Sequence, residues 1–336
     1  MPAAISLKEC RALAFDALSH AGVSHANAEA VADHITRAEA DGCKSHGLFR
    51  LPGYVASVNS GAADPQAEPE IVDAAPGLVA VDARRGFAPL AIARGRGALA
   101  DKAHEQGIAC MTIRNSFNFA ALWPDIEPLA EAGLVAFTFV NSQSFTAPAG
   151  GTEALFGTNP MAFACPRGGG RAPMVFDQAS AAMARGEIQI AARDGHTVPA
   201  GTGLGPDGQP TTDPAAILAG VQLPFGGYKG SSIALMVELM TGGLSGGFFG
   251  YESAADHKRD GGPSNGAQSF IAIDPGRLAG PEFFAHVEAL FERLLANGEA
   301  RLPGDRRLAA RARTAEEGIT VEDALYTTLQ GLAGRV

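Results

Sequence analysis

Apolar residues recur at helical spacing near both ends of the chain, while short unbroken apolar runs fill its middle. Residues 7–21 and 26–40 read as two amphipathic helices. Ser6 and Ser24 stand where N-caps belong, and Gly22 stops the first helix. The second sets Ala28, Val31, Ile35 and Ala38 along one stripe, and residues 41–45 form a polar turn. The spacing predicts a helix over 88–106 ended by Gly107, then a strand over 108–113. A helix over 124–132 and a strand over 134–140 follow. Strands are expected at 161–165 and 174–176, with 188–192 read as a third. Residues 193–214 read as loop, because Asp194-Gly195, Pro199, Gly201, Gly203, Gly205, Pro210 and Pro214 interrupt regular structure. Beyond them come a helix over 229–241, a glycine-rich break over 242–250 and a strand over 268–273. Helices over 281–297 and 321–332 complete the pattern, which has no internal repeat. Helices dominate the ends and strands the middle, which predicts an α/β chain whose ends fold together around a central domain.

Composition narrows the classes. A length of 336 residues suggests two domains at roughly 150 residues each. Hydrophobic residues at 46% and charged residues at 18% fit a globular chain rather than a disordered one. The formal charge is −10, from 36 acidic and 26 basic residues, which argues against a nucleic-acid partner but leaves room for a local basic pocket. No apolar run is long enough to span a bilayer, so no membrane partner is expected. The first residues, MPAAISLKECRALAF, lack the charged lead and apolar core of a secretion signal, and a cytoplasmic location is expected. Cys10, Cys43, Cys110 and Cys165 form no CxxC pair, so neither a disulfide framework nor a metal site is indicated.

One motif is set aside. Gly203-Leu204-Gly205-Pro206-Asp207-Gly208 matches G-x-G-x-x-G, but that fingerprint works between a strand and a helix whose amides hold a pyrophosphate. Pro206 sits inside it and Gln209-Pro210-Thr211-Thr212-Asp213-Pro214 follows, so it reads as a hairpin or surface loop.

Five clusters carry candidate chemistry. In Ser45-His46-Gly47-Leu48-Phe49-Arg50, His46 can transfer a proton near neutral pH, Ser45 can bond to it and Arg50 can clamp a carboxylate. In 114–125, backbone amides at a helix start can bind phosphate, or Phe117, Phe119 and Trp123 are simply core. In the third, Thr158 can bind a carboxylate, Asp177 ends an apolar strand and Glu187 can orient an imidazole; the alternatives are that Asp177 caps the next helix and Glu187 is a solvated charge. In 224–232, Lys229 is a point charge for phosphate without Walker spacing. In 301–307, arginines in a turn suit a phosphate or are a basic surface turn. Taken singly, most of these have an ordinary structural explanation.

Taken together they resemble one family. SHGLFRLPGYV at 45–55, FNFAALWPD at 117–125, LFGTNPMAFACP at 155–166, VFDQASAAMARGEI at 175–188, PFGGYKGSSIALMVELMTG at 224–242 and RLPGDRR at 301–307 occur in the order found in the malate/L-lactate dehydrogenase type 2, or sulfolactate-dehydrogenase-like, oxidoreductases. FAALWPD and GYKGSSIA most resemble its Δ1-pyrroline-2-carboxylate/Δ1-piperideine-2-carboxylate reductase branch. The resemblance implies an α/β fold with a non-Rossmann nucleotide-binding domain on a largely antiparallel sheet, plus a helix-rich domain from both chain ends. It divides the chain into 1–115 with 285–336, for substrate and dimerisation, and 116–284, for NADPH. It implies a homodimer that reduces a cyclic imino acid to L-proline or L-pipecolate with NADPH, NADH being the other cofactor open to it. His46 matches the proton donor, with Ser45 and Glu187 as relay partners, although the relay acid is usually Asp. Arg50 and Thr158 match substrate-carboxylate positions. Asn118, Phe119, Ala120, Ala121, Leu122, Asp177, Gln178, Ala179, Tyr228, Lys229, Arg301, Gly304, Arg306 and Arg307 match cofactor contacts. Asn118 departs from the family, which often has histidine there, and leaves His46 the sole proton donor. A 2-oxoacid or 2-hydroxyacid dehydrogenase of the same family, acting on malate, lactate, ureidoglycolate or a diketo acid, is the nearest alternative. A non-catalytic NADPH-binding protein is a third reading.

Overall fold

The computed structural model describes residues 3–335; Met1, Pro2 and Val336, which the expected domain ranges include, lie outside them. Its strands are β1 (Ala3–Ile5), β2 (Glu70–Ala75), β3 (Leu78–Asp82), β4 (Ile108–Phe117), β5 (Val135–Val140), β6 (Met161–Cys165), β7 (Met174–Gln178), β8 (Gly203–Leu204), β9 (Pro210–Thr211), β10 (Val221–Gln222), β11 (Asn265–Ile273) and β12 (Ile319–Val321). Its α-helices are α1 (Leu7–His20), α2 (His25–Ala40), α3 (Leu51–Asn59), α4 (Ala88–Gln106), α5 (Trp123–Glu131), α6 (Arg185–Asp194), α7 (Pro214–Ala219), α8 (Tyr228–Glu238), α9 (Gly250–Asp256), α10 (Pro275–Leu278), α11 (Phe283–Leu295), α12 (Asp305–Glu317) and α13 (Asp323–Leu332).

The fold is α/β. A seven-stranded sheet runs in the order β2-β3-β4-β11-β5-β6-β7. Neighbours are antiparallel except β3 and β4. In β4, Ala109, Met111 and Ile113 alternate inward and are buried, the period of a strand with one covered face. α4 covers that face through Ala91, Ile92 and Leu99. Gly95 permits the approach, since a Cβ there would lie 2.5 Å from Met111 Sδ. The sheet draws on strands from residue 70 to 273, so the expected division between 115 and 116 falls inside β4.

The two chain ends meet. β1 pairs antiparallel with β12, and Leu13, Leu18, Val31, Ile35, Leu51, Ile319, Val321 and Leu329 share one core. Arg311 of α12 bonds Asp41 at 2.7 Å and Glu127 at 3.0 Å, fastening α12 to α2 and α5.

Ser6 caps α1 in a complete capping box with Glu9. Ser24 does not cap α2 through its side chain; its hydroxyl accepts instead from Asn27 Nδ2 at 2.9 Å. The strand expected at 188–192 is a correction: that segment is α6, ended by Gly195 at φ 72°. Its Ile-Gln-Ile run mimics a two-residue period, but Ile188 is buried with Val198 and Ile217 in a small helical core. The loop at 193–214 contains β8 and β9, whose pairing makes the set-aside glycine motif a hairpin. Residues 301–307 are a turn that runs on into α12, which the sequence pattern did not reveal. β2, β3 and α3 were also not expected. α8 ends in a π-turn at Leu239–Gly243.

Candidate active site

After α2 the chain makes two 3-10 turns, Lys44–His46 and Leu48–Arg50. Glu39 fixes the second by accepting from Leu48 N at 2.8 Å. These turns bring together three of the predicted residues. Ser45 Oγ lies 3.0 Å from His46 Nδ1. Cys43 Sγ stands 3.6 Å from each. With the Ser45 hydroxyl donating to Nδ1, the ring proton resides on Nε2. Withdrawal from water, helped by the charge on Arg50, pushes His46 down to about 3, so the ring is neutral near pH 7.

Arg50 donates from Nε to Ser45 O at 2.7 Å and from Nη1 to Gln189 Oε1 at 3.3 Å. α6 approaches because residue 186 is glycine; a Cβ there would lie 2.5 Å from Arg50 Nη2. The same helix brings a residue to which sequence reasoning gave no role. Arg185 is half-buried, and its one hydrogen bond among the described residues is to Gln222 Oε1 at 3.5 Å. Burial pushes both guanidiniums down to about 10, and the charge on Arg50 adds to the effect at Arg185. Both remain cations at neutral pH. Neither meets a carboxylate among the described residues. Two half-buried, unpaired cations beside a neutral imidazole form a receptor for an anion. Arg185 lay in the VFDQASAAMARGEI motif at 175–188, beside Gly186, but the motif by itself gave it no role.

Glu187 is exposed and makes no hydrogen bond or ion pair with Ser45 or His46 among the described residues. Thr158 is half-buried; its carbonyl accepts from Ser180 N at 2.8 Å, and no contact links it to Arg50 among the described residues. Its neighbour Asn159, at φ 41°, donates to Glu238 Oε1 at 2.9 Å.

The expected cofactor residues gather about β7. Asp177 accepts from Leu122 N at 2.8 Å and Trp123 N at 3.3 Å. It therefore occupies amides at the start of α5 that were expected to be open to phosphate, and it is a cap, though of a helix distant in sequence. Burial pushes its carboxyl up, against those amides and Arg307. Ala121 and Leu122 are buried, backbone included. Asn118 Nδ2 donates to Gln268 Oε1 at 3.0 Å, and its Oδ1 accepts from Ala120 N at 2.6 Å. Phe119 stacks on Arg50, whose Cζ is 4.7 Å from the ring centre. Gln178 is exposed and Ala179 half-buried.

Gly304, at φ 95°, lets the 301–307 turn close on β7: a Cβ there would lie 3.0 Å from Val175 O. Arg307 bonds Val175 O and lies over Trp123. Arg301 and Arg306 are exposed and have no side-chain partner among the described residues. Tyr228 and Lys229 are exposed at the start of α8, beside Gly230, where a Cβ would lie 2.9 Å from Ser180 O. Lys229, Arg301 and Arg306 are thus exposed cations without a side-chain partner among the described residues, the chemistry that phosphate needs.

The model of the malate/L-lactate dehydrogenase family matches residues 5–330. The chain is 49% identical to a Δ1-pyrroline-2-carboxylate reductase of Ancylobacter novellus, over 99% of this chain and 98% of that one. It is 41% identical to an NADP+-dependent (2R)-3-sulfolactate dehydrogenase of Chromohalobacter salexigens, over 98% of each chain. The crystal structure of Δ1-piperideine-2-carboxylate reductase from Pseudomonas syringae pv. tomato superposes with a TM-score of 0.94 at 44% identity, over 98% of this chain and 99% of that one.

Proposed function

The chain belongs to the malate/L-lactate dehydrogenase family, and from that premise we propose that it reduces Δ1-piperideine-2-carboxylate and Δ1-pyrroline-2-carboxylate to L-pipecolate and L-proline with NADPH. It is an oxidoreductase that uses a nicotinamide cofactor. The observation that carries the substrate reading is the pair of unpaired guanidiniums, Arg50 and Arg185, beside the neutral His46. The near identity in length and the 49% identity to a Δ1-pyrroline-2-carboxylate reductase support the imine over a carbonyl.

The cofactor, when bound, supplies the hydride to C2 of the ring. Arg50 and Arg185 hold the carboxylate and so fix the face the C=N bond presents. His46 presents its Nε2 proton to the nitrogen that becomes an amine. Ser45 holds that tautomer; as Nε2 gives its proton, Nδ1 takes the proton of the Ser45 hydroxyl 3.0 Å away, and solvent water returns a proton to Ser45. A carboxylate on Arg50 also cancels one cause of the depressed proton affinity of His46, so substrate binding favours a proton on the ring. Glu187 enters as relay acid only if it moves to Ser45. Lys229, Arg301 and Arg306 receive the cofactor phosphates, with Arg306 on the 2′-phosphate, on a non-Rossmann frame formed by 116–284. Tyr228, Gln178, Ala179 and the 118–122 loop line that cofactor, and Thr158 adds a hydroxyl to the substrate side. The ends of the chain carry a homodimer surface, and the enzyme works in the cytoplasm.

A second reading has one observation in its favour. Two guanidiniums match a substrate with two anionic groups, such as malate or sulfolactate, at least as well as one with a single carboxylate. Substrate comparison separates the two. Turnover of Δ1-piperideine-2-carboxylate that vanishes for the same cyclic imine lacking the carboxylate supports the proposal. Equal turnover of both imines contradicts the role given to the arginines.

A further inference from the structure

The two guanidiniums share a second feature: each lies on the face of a phenylalanine. Arg50 Cζ is 4.7 Å from the Phe119 ring centre and 5.4 Å from that of Phe49. Arg185 Cζ is 3.7 Å from the Phe145 ring centre. We propose that Phe119 and Phe145 are positioning residues, aromatic platforms that keep the two arginines flat, apart and aimed in the absence of substrate. This rests on the arginine pair receiving the substrate carboxylate, as proposed above.

Like charges brought close repel, and neither arginine has a carboxylate to hold it. Arg50 has one short hydrogen bond, to Ser45 O at 2.7 Å. Arg185 has only the contact with Gln222 at 3.5 Å, the outer limit of a hydrogen bond. The ring beneath Arg185 is therefore its main restraint. An aromatic face attracts a cation through its quadrupole and leaves the N–H edges free, which a carboxylate partner would not. Edges left free are what a bidentate substrate needs.

Both platforms are themselves anchored. Phe145 donates from N to Phe156 O at 2.7 Å and accepts at O from Gln222 N at 2.9 Å, so the residue under Arg185 and the residue at its edge belong to one backbone ladder. Phe119 packs edge-on against Tyr54, with ring centres 5.9 Å apart. Gly53 gives the ring its room: a Cβ there would lie 2.8 Å from Phe119 Cε2. Phe119 also belongs to the 118–122 loop proposed for the cofactor, so one residue joins the cofactor loop to the substrate arginine.

The test compares Phe119→Leu and Phe145→Leu with Phe119→Tyr and Phe145→Tyr, which keep the ring. Binding of pyrrole-2-carboxylate, a planar ring carboxylate, and of pyrrole-2-carboxamide, its uncharged counterpart, is measured by calorimetry on the NADP+-saturated full chain. A cation–π contact of about 0.5–2 kcal/mol predicts a roughly 2- to 30-fold loss of carboxylate affinity in each leucine variant. The tyrosine variants recover it, the carboxamide affinity stays at its wild-type value, and NADPH affinity stays at its wild-type value in Phe145→Leu, which lies outside the cofactor loop. KM for the cyclic imine rises with the binding loss while kcat changes less. Unchanged carboxylate affinity, an equal loss for both probes, or no recovery with tyrosine overturns the proposal. Because the binding readout does not need turnover, wild-type protein that binds the carboxylate but leaves the imine unreduced refutes the catalytic reading and not this one.

Discussion

His46 and Arg185 place the strongest demands on single residues. Burial and Arg50 hold the imidazole neutral, and with Ser45 donating to Nδ1 the ring proton is on Nε2. His46→Asn should lower kcat by about 10²–10⁴ while NADPH affinity and melting temperature stay close to wild type; near-native turnover would remove His46 from the reaction. Arg185→Leu should raise KM for the cyclic imine roughly 10- to 100-fold, the scale of one charge-assisted hydrogen bond in steady-state kinetics. The two neighbouring arginines of the 301–307 turn should behave differently. Arg306 is free and Arg307 is tied to Val175 and Trp123. Arg306→Ala should therefore weaken NADPH binding about 10-fold and NADH binding little, whereas Arg307→Ala should cost stability first; fluorescence titration and a denaturant midpoint distinguish these. Ser45, His46 and Arg50 were legible because they lie within six positions of one another. Arg185 was not, because the residues that give it meaning, Phe145 and Gln222, come to it only through the fold.

Helices and strands were legible where one rule governed them. Ser6 as the cap of α1 and the apolar start of β4 needed no tertiary knowledge. α6 misled because Ile188 and Ile190 alternate like a strand, while the contacts that make it a helix come from α7 and the turn bearing Ser45. α12 was hidden because its first turn carries arginines that look like a surface loop. Asp177 was half legible: the alternative reading made it a cap of the next helix, but the helix it caps, α5, lies 54 and 55 residues back in the chain. Asp177→Ala should cost about 1 kcal/mol by urea denaturation, as loss of a cap does. If the 118–122 loop serves the cofactor, the same variant should also weaken NADPH binding; an unchanged affinity would separate the cap from the cofactor site.

The whole molecule adds a pH dependence that no single element carries. His34 and His46 are pushed down to about 4 and 3, mainly by burial. As pH falls below about 6.5 the unfolded chain takes up protons that the folded one refuses, so stability is lost from about 6.5 down to 4 through His34 and down to 3 through His46. Asp125 has the opposite sign. Burial pushes it up to about 7, so the folded chain keeps a proton that the unfolded chain has lost above about 4, and stability falls as pH rises from 4 to 7. Asp125 meets Gln268 Nε2 at 2.9 Å and His34 Nδ1 at 3.5 Å, and asparagine can serve both. Asp125→Asn should therefore gain melting temperature over wild type progressively from pH 4 to 7 and then level off; a constant difference would mean that Asp125 is ionised in the fold throughout. The central claim concerns the reaction itself, and one measurement reaches it most directly: loss of NADPH absorbance with purified protein and freshly made Δ1-piperideine-2-carboxylate, with pyruvate and oxaloacetate alongside. Rapid oxidation with the cyclic imine and little with either oxoacid is the predicted result. Oxidation with the oxoacids and none with the imine would contradict the account, keep the family and assign the arginine pair to a 2-oxoacid.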